Sequence, residues 1–332
     1  MTEGTDGARR IDVHFHTVPA PFRAALARAA LPNVRAPDWS AELSLAMMDR
    51  TGIETAITSV SVPGTHLGDD GQARALSRAC NEDAAALMAR LPGRFGAFAA
   101  LPLPDVDGAC REARHALEVL KLDGIGLFSS YAGRHLGDPV LEILDAHGAV
   151  AFIHPTSHPS GETVHIGMPG FLVEYPFDTT RAAINLVFSG ALDRFPRIRF
   201  ILSHAGGALP FLSWRIADIA ARQLALAPFT ERFPAAFIRA NADGFDAETV
   251  MSRFRRFWYD TALSAGPQVM GALKEVADPA RILFGSDWPY APETMTQDSI
   301  AGLETPGMLD AGQKRAIARD NAAALFPRLA AG

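Results

Sequence analysis

Five residues in this chain have the types and the setting for metal and proton chemistry: His14, His16, His154, His204 and Asp287. The first two stand one residue apart in Ile11-Asp12-Val13-His14-Phe15-His16. A β-strand has period two, so alternation places Asp12, His14 and His16 on one face and Ile11, Val13 and Phe15 on the other. Two imidazoles about 7 Å apart along a strand can close on a single ion. The other three follow apolar runs within three residues: Val150-Ala151-Phe152-Ile153-His154, Phe200-Ile201-Leu202-Ser203-His204 and Ile282-Leu283-Phe284-Gly285-Ser286-Asp287. One histidine after one strand is ordinarily structural. Five such residues at four strand ends point to a shared site. Imidazoles joined by a carboxylate make a borderline nitrogen–oxygen shell, which suits Zn²⁺ and, less exclusively, Mn²⁺ or Fe²⁺.

Such a set needs a scaffold that brings strand ends together. Short β-branched or aromatic runs predict strands near residues 11–16, 56–62, 95–101, 124–129, 149–154, 199–204, 256–262 and 281–286. Alanine-rich amphipathic stretches between them predict helices, including Ala41–Thr51, Ala73–Leu91, Gly108–Leu120, Pro139–His147, Thr179–Arg194 and Pro267–Val276. Asp138-Pro139 reads as an N-cap with proline in the first turn, and Asp178-Thr179-Thr180 reads as a second cap. Eight strands alternating with helices, without a composition break, predict an α/β fold built as a single (β/α)8 TIM barrel over residues 11–332. Residues 1–10 read as a flexible polar tail. A doubly wound open sheet is the alternative, but the glycine-rich turn expected after its first strand is replaced by His16-Thr17-Val18-Pro19. Insertions are expected after strand 1 (17–40), after strand 5 (155–176) and after the strand 6 helix (223–255). The first two leave the barrel face that carries active sites.

Composition narrows the function. The net charge is −6 and no basic run occurs, so nucleic acid is not an expected partner. No stretch approaches the ~18 apolar residues of a membrane span. The opening MTEGTDGARR lacks the apolar core of a signal peptide. With only Cys80 and Cys110, a disulfide framework is not expected. The chain therefore reads as cytoplasmic. A Walker loop, a Gly-x-Ser-x-Gly elbow and glycosidase-type paired carboxylates are missing.

The motifs IDVHFH, Met48-Asp49-Arg50-Thr51-Gly52-Ile53, AFIHP at 151–155, Tyr175-Pro176-Phe177-Asp178-Thr179-Thr180-Arg181, LSHAGG at 202–207 and LFGSDWPY at 283–290 together resemble the amidohydrolase superfamily. Within it they resemble the branch of metal-dependent decarboxylases related to aminocarboxymuconate semialdehyde decarboxylase, and most closely the 6-methylsalicylate decarboxylase-like proteins. The resemblance spans nearly the whole chain. It implies that His14, His16, His154 and Asp287 ligate the metal and that His204 is an acid/base beside it. Relatives with two metals use a lysine on strand 4. Strand 4 here, Gly124-Ile125-Gly126-Leu127-Phe128-Ser129-Ser130, has none, and Lys121 precedes it. One divalent ion is expected, Zn²⁺ first and Mn²⁺ second.

The implied reaction is non-oxidative decarboxylation of a small aromatic, salicylate-type acid, with Asp287 or His204 delivering the proton. The alternative is a metal-dependent hydrolase of a lactone, ester or amide. A purely structural metal is disfavoured because structural zinc sites are closed and usually thiolate-rich. Arg215 is the first candidate for the substrate carboxylate, and the resemblance implies that it can act across a homodimer interface. Arg23, Arg35 and Arg50 are weaker candidates, and Arg50 also fits a helix C-terminus before Gly52. Trp39, Trp288 and Tyr290 are expected to line the substrate pocket, with Phe171 and Trp214 as further aromatic candidates. His158 and His165 lie in the strand 5 loop. Gly206-Gly207 is expected to let backbone approach the site closely.

Overall fold

In the computed structural model, the eight apolar runs become eight parallel strands: β1 (Arg10–Thr17), β2 (Ile53–Val60), β3 (Phe95–Ala99), β4 (Gly124–Phe128), β5 (Val150–His154), β6 (Arg199–Leu202), β7 (Trp258–Asp260) and β8 (Ile282–Leu283). They pair in sequence order. The seam between β8 and β1 is closed by backbone bonds, Val13 N to Phe284 O at 3.0 Å and His16 N to Trp288 O at 2.7 Å. Helices follow the strands, so the architecture is the expected (β/α)8 barrel. The structure describes residues 9–31, 34–135, 137–156, 167–224 and 246–329. The expected tail therefore falls outside the described residues over 1–8, and β1 already begins at Arg10. Most of the expected 223–255 insertion also lies outside them, as do His158 and His165. No helix among the described residues is long and apolar enough to cross a membrane.

Inside the barrel, Ile11, Val13, Ile57, Phe98, Phe152, Ile201 and Leu283 form one cluster, closed below by Ala322, Leu325 and Phe326 near the C-terminus. Phe15 instead joins the larger cluster between strands and helices. Simple alternation therefore fails within β1. Between Asp12 and Phe15 the strand advances three residues while β2 advances two, Ala56 to Thr58. This β-bulge inserts one residue and changes which side chains face inward. Val13 packs in the barrel and the next residue, His14, also turns toward its interior, 4.9 Å ring to ring from Phe152. Asp12 does not join the imidazoles. Its Oδ1 accepts the His14 N–H at 2.9 Å and the Ser286 N–H at 3.2 Å.

Two helix starts differ from expectation. The helix after β5 begins at Glu174 and runs to Phe188, so Asp178 lies inside it, fully buried, rather than at its N-cap. The Asp178 carboxylate accepts bonds from the hydroxyls of Ser129 and Ser130 just past β4, the second at 3.3 Å. Tertiary bonding there outweighs the local capping preference. Gly190, at φ +74, then separates the Glu174–Phe188 helix from a short helix, Ala191–Arg194. The helix Asp138–Ala146 is capped by Gly137, and Asp138 instead pairs with Arg194 at 2.6 Å. The connection after β1 contains its own helix, Ala20–Ala29, whose Phe22 and Leu26 pack with Val18 and Cys80.

Candidate active site

The bulge in β1 and the sharp exit from β8 set the site. His14 and His16 bring their Nε2 atoms to 3.2 Å from one another. Asp287 leaves β8 at φ +65, a conformation uncommon for a residue with a side chain, and its N–H is held by His14 O at 2.8 Å. Its Oδ1 then lies 3.0 Å from His16 Nε2 and 3.3 Å from His14 Nε2. His154, at the end of β5, faces both imidazoles with ring centroids 4.8 and 5.3 Å away. One ligand atom from each of His14, His16, His154 and Asp287 falls within 4.8 Å of all the others, and all four residues are buried.

This donor set fits a metal ion. Ligand atoms around a tetrahedral ion at ~2.1 Å stand about 3.4 Å apart, close to the three separations just given. The far nitrogen of each imidazole is already engaged. His14 Nδ1 meets Asp260 Oδ2 at 2.9 Å, His16 Nδ1 meets Ser59 Oγ at 3.0 Å, and His154 Nδ1 donates to Pro155 O at 2.8 Å. Outer partners of this kind fix tautomer and ring orientation, leaving the other nitrogen free to ligate. Three imidazole nitrogens and one carboxylate are a borderline set that accepts Zn²⁺ or Mn²⁺.

His204 follows β6 and sits at φ +53, with Ala205 at +55. Its backbone N–H donates to Asp260 Oδ1 at 3.0 Å. Its Nε2 stands 3.3 Å from Asp287 Oδ2, opposite the oxygen that faces His14 and His16. Its Nδ1 is buried and has no hydrogen-bond partner among the described residues. Three side-chain-bearing residues at positive φ around one centre are local strain of the sort that functional sites hold.

Electrostatics follow from burial opposed by pairing. For Asp287, desolvation pushes the carboxyl up, but His14, His16 and His204 outweigh it and hold it well below the usual range. For His14, desolvation pushes down, yet Asp260 and Asp287 raise it to about 10. His154 is driven well below its ordinary value by desolvation and by neighbouring imidazoles, and His16 is lowered by desolvation. Desolvation pushes Asp12 up to about 7.

Of the aromatic candidates, Tyr290 is nearest: its ring lies 5.2 Å from that of His16, and burial raises its hydroxyl to about 12. Trp288 is buried and packs on Phe15 at 5.0 Å, on the outer side of β1. Trp39 is half-buried and joins the packing around Phe22 and Met47. Arg215 and Trp214 lie on the exposed side of the helix Leu209–Leu224, Trp214 with 64% of its surface open. Phe171 is 62% exposed. Arg50 forms a two-bond pair with Glu293 instead of closing its own helix. Arg23 bonds Pro37 O and Trp39 O at 3.4 Å, and its charge acts on the Tyr290 hydroxyl. Gly206 and Gly207 serve packing: a side chain at Gly206 would strike the Tyr259 ring, and one at Gly207 would overlap the Pro176 carbonyl.

Sequence reasoning passed over Asp260. It ends β7 after Trp258-Tyr259 and bonds both His14 and His204. An acidic residue directly after a short aromatic strand carried the same signal as the other strand ends. Ser59 near the end of β2 carried none, since serine is common at strand ends.

The chain is similar to known proteins over most of its length. A family model described as amidohydrolase matches residues 11–328. The 6-methylsalicylic acid decarboxylase of Penicillium expansum is 37% identical over 335 residues, covering 96% of this chain and 97% of that protein. The gamma-resorcylate decarboxylase of Polaromonas sp. strain JS666 is 30% identical, over 74% of this chain and 75% of its own. A crystal structure of a dihydroxybenzoic acid decarboxylase from Polaromonas sp. JS666, with bound manganese and the inhibitor 2-nitroresorcinol, superposes with a TM-score of 0.76 at 24% identity, covering 96% of each chain. At that identity the likeness shows the barrel alone.

Proposed function

The chain belongs to the amidohydrolase family, and on that premise we propose that it is a metal-dependent, non-oxidative decarboxylase of a small aromatic acid of the salicylate type. The observation that carries this reading is the convergence of His14, His16, His154 and Asp287, with His204 touching Asp287 from the far side. The kinship with 6-methylsalicylic and gamma-resorcylate decarboxylases supplies the substrate class.

In this reading the four converging residues hold one divalent metal. Zn²⁺ is the first choice from the donor set, and Mn²⁺ is the alternative that any assay must include. When bound, the ion orients and polarises the oxygens of a 2-hydroxybenzoate. The chain's own residues do the rest. His204 Nε2 and Asp287 Oδ2, 3.3 Å apart, form the proton-delivery pair. Its neighbours keep the Asp287 carboxylate ionised, so His204 is the member of the pair assigned to deliver the proton. It passes through the pair to the ring carbon that bears the carboxylate. The ring then becomes ketone-like at the hydroxyl-bearing carbon. The bond to the carboxyl carbon breaks, its electron pair restores the aromatic ring, and CO₂ leaves. The net change replaces one C–C bond by one C–H bond. Asp260 holds His14 and the His204 backbone in register throughout.

Tyr290 and Arg23 serve the substrate from within the chain, Tyr290 flanking His16 and Arg23 beside it in the field of the Tyr290 hydroxyl. Trp39 and Trp288 support the pocket from behind. Arg215 is exposed, as are Trp214 and Phe211 on the same helix, Phe211 at 85%. This apolar surface is the proposed homodimer face, and Arg215 meets substrate only in a second copy.

The test is a panel of hydroxybenzoates and lactones incubated with protein loaded with Zn²⁺ or Mn²⁺. Loss of the carboxyl carbon as CO₂ supports decarboxylation. Ring or ester opening without CO₂ overturns it in favour of hydrolysis by the same metal and His204.

A further inference from the structure

At the end of the barrel where β1 starts, away from the histidines, lies a cavity of about 420 Å³. It is bordered by the helix Glu293–Leu303 and by the helical segment that runs from Ala311 to Asp320. Arg10, at its edge, opens β1, and His16 comes near the far end of that strand, about 20 Å on by strand rise. The cavity is therefore separate from the candidate active site. We propose that it binds a medium-chain aliphatic carboxylate, with the Arg10 guanidinium receiving the carboxylate and the apolar wall receiving the tail.

The wall is built from Ile300, Leu303, Leu309 and Ile317, joined by Ala318. No aromatic residue lines it among the described residues. Branched aliphatic side chains suit a flexible alkyl chain and offer no face on which a ring could stack. A volume of this size, mostly apolar and with few placed polar groups, is that of a small-molecule site.

Charge decides the head group. Lys314 Nζ meets Glu304 at 2.6 Å, and Arg315 meets Asp320 at 3.1 Å. Arg9 and Arg319 share the carboxylate of Glu54. Arg10 makes no ion pair among the described residues: its Nη1 donates to Thr51 O at 3.1 Å, and its guanidinium lies 5.9 Å over the Phe284 ring. Together these five cations meet three carboxylates, an excess of two positive charges among the described residues. Burial lowers the Arg10 guanidinium from its ordinary value, and the field of Glu304 offsets only part of this. A cation that has lost water without gaining a counterion is stabilised by an anion brought to it. A planar guanidinium matches a carboxylate through two parallel N–H donors. Thr51 O and the Phe284 face hold it in place beforehand, which lowers the ordering cost of binding.

Calorimetric titration of the full-length, metal-loaded chain tests this, with hexanoate, octanoate and decanoate kept below the concentrations at which they self-associate. One site per chain is expected, tightening about fourfold per added methylene. 1-Octanol, with the tail but not the charge, should bind about tenfold more weakly than octanoate, and acetate should not register. Arg10→Gln keeps an N–H for Thr51 O but removes the charge. It should abolish the preference for octanoate over octanol and leave the octanol affinity unchanged, whereas Ala318→Leu, which fills the apolar space, should weaken both. Absence of saturable octanoate binding, equal affinity for octanoate and octanol, or an unchanged preference in Arg10→Gln overturns the site. So does loss of octanoate binding in a His14→Ala/His16→Ala variant, which would put the ligand at the histidine centre. Should Arg10→Gln not fold, the chain-length series and the octanoate–octanol comparison in the unmodified protein still decide. The readout is heat of binding and involves no CO₂ release, so failure of this site leaves the decarboxylase reading standing, and failure of that reading leaves the site standing.

Discussion

Asp260→Asn is the most informative single change at this centre. Asp260 is fully buried and makes three bonds. Its Oδ1 accepts the N–H groups of His204 and Ala262 at 3.0 and 2.9 Å, and its Oδ2 faces His14 Nδ1 at 2.9 Å. Asparagine has the same shape but one acceptor oxygen. Keeping that oxygen on the two backbone donors turns the amide N–H toward His14 Nδ1. The imidazole must then accept there and carry its proton on Nε2, the nitrogen that should ligate. Flipping the amide restores His14 but sets the NH₂ against two backbone N–H groups. Neither state satisfies the whole network. Loss of an outer partner of a metal-bound histidine costs about 10- to 100-fold in metal affinity, which is ~1.4–2.7 kcal/mol. Competitive titration with a chelating dye reads this directly, and thermal unfolding with and without metal reads it again as a smaller metal-induced rise in Tm. Wild-type metal affinity in Asp260→Asn would refute the claim that this carboxylate fixes the His14 tautomer.

Three further outcomes follow from the same geometry. His204→Ala should keep the metal while kcat falls by about 10²–10⁴, the span for loss of a positioned acid/base; loss of metal instead would make His204 a ligand. Gly285→Ala places a Cβ 2.8 Å from His14 Cβ and 3.3 Å from Asp260 Cβ, so overpacking should cost about 1–3 kcal/mol in urea unfolding and weaken metal binding. Because His14 is raised to about 10, the metal-free centre carries a proton that a ligating imidazole must shed. Apparent metal affinity should rise with pH up to about 10, with close to one proton released per ion by calorimetry in buffers of different ionisation enthalpy. The same shift stabilises the metal-free fold below the unfolded histidine value of ~6.5 and is lost as pH rises through about 10, so an affinity flat with pH would contradict it.

The convergence of His14, His16, His154 and Asp287 was legible in the sequence because a barrel gathers its strand ends, so a histidine or aspartate after an apolar run lands near the others whatever the helices do. The register of β1 was not. A bulge is set by what the neighbouring strand and the β8 exit require, and nothing in Ile11–His16 marks where the extra residue falls. Asp178 misled for a related reason: Asp-Thr-Thr is a good local cap, but two serines past β4 captured the carboxylate inside the helix. Arg215 and the aromatic candidates were the least legible. Their positions depend on which face of the Leu209–Leu224 helix and of the loops meets solvent, and composition leaves that open.

The central claim is that decarboxylation depends on the ion held by His14, His16, His154 and Asp287. The direct test supplies 2-hydroxybenzoate acids labelled with ¹³C at the carboxyl carbon to metal-stripped enzyme, to enzyme reloaded with one equivalent of metal, and to a His14→Ala/His16→Ala double variant under the same loading. The account predicts ¹³CO₂ in step with the hydroxyarene product only from the reloaded enzyme. Equal ¹³CO₂ from the stripped enzyme or the double variant would contradict it.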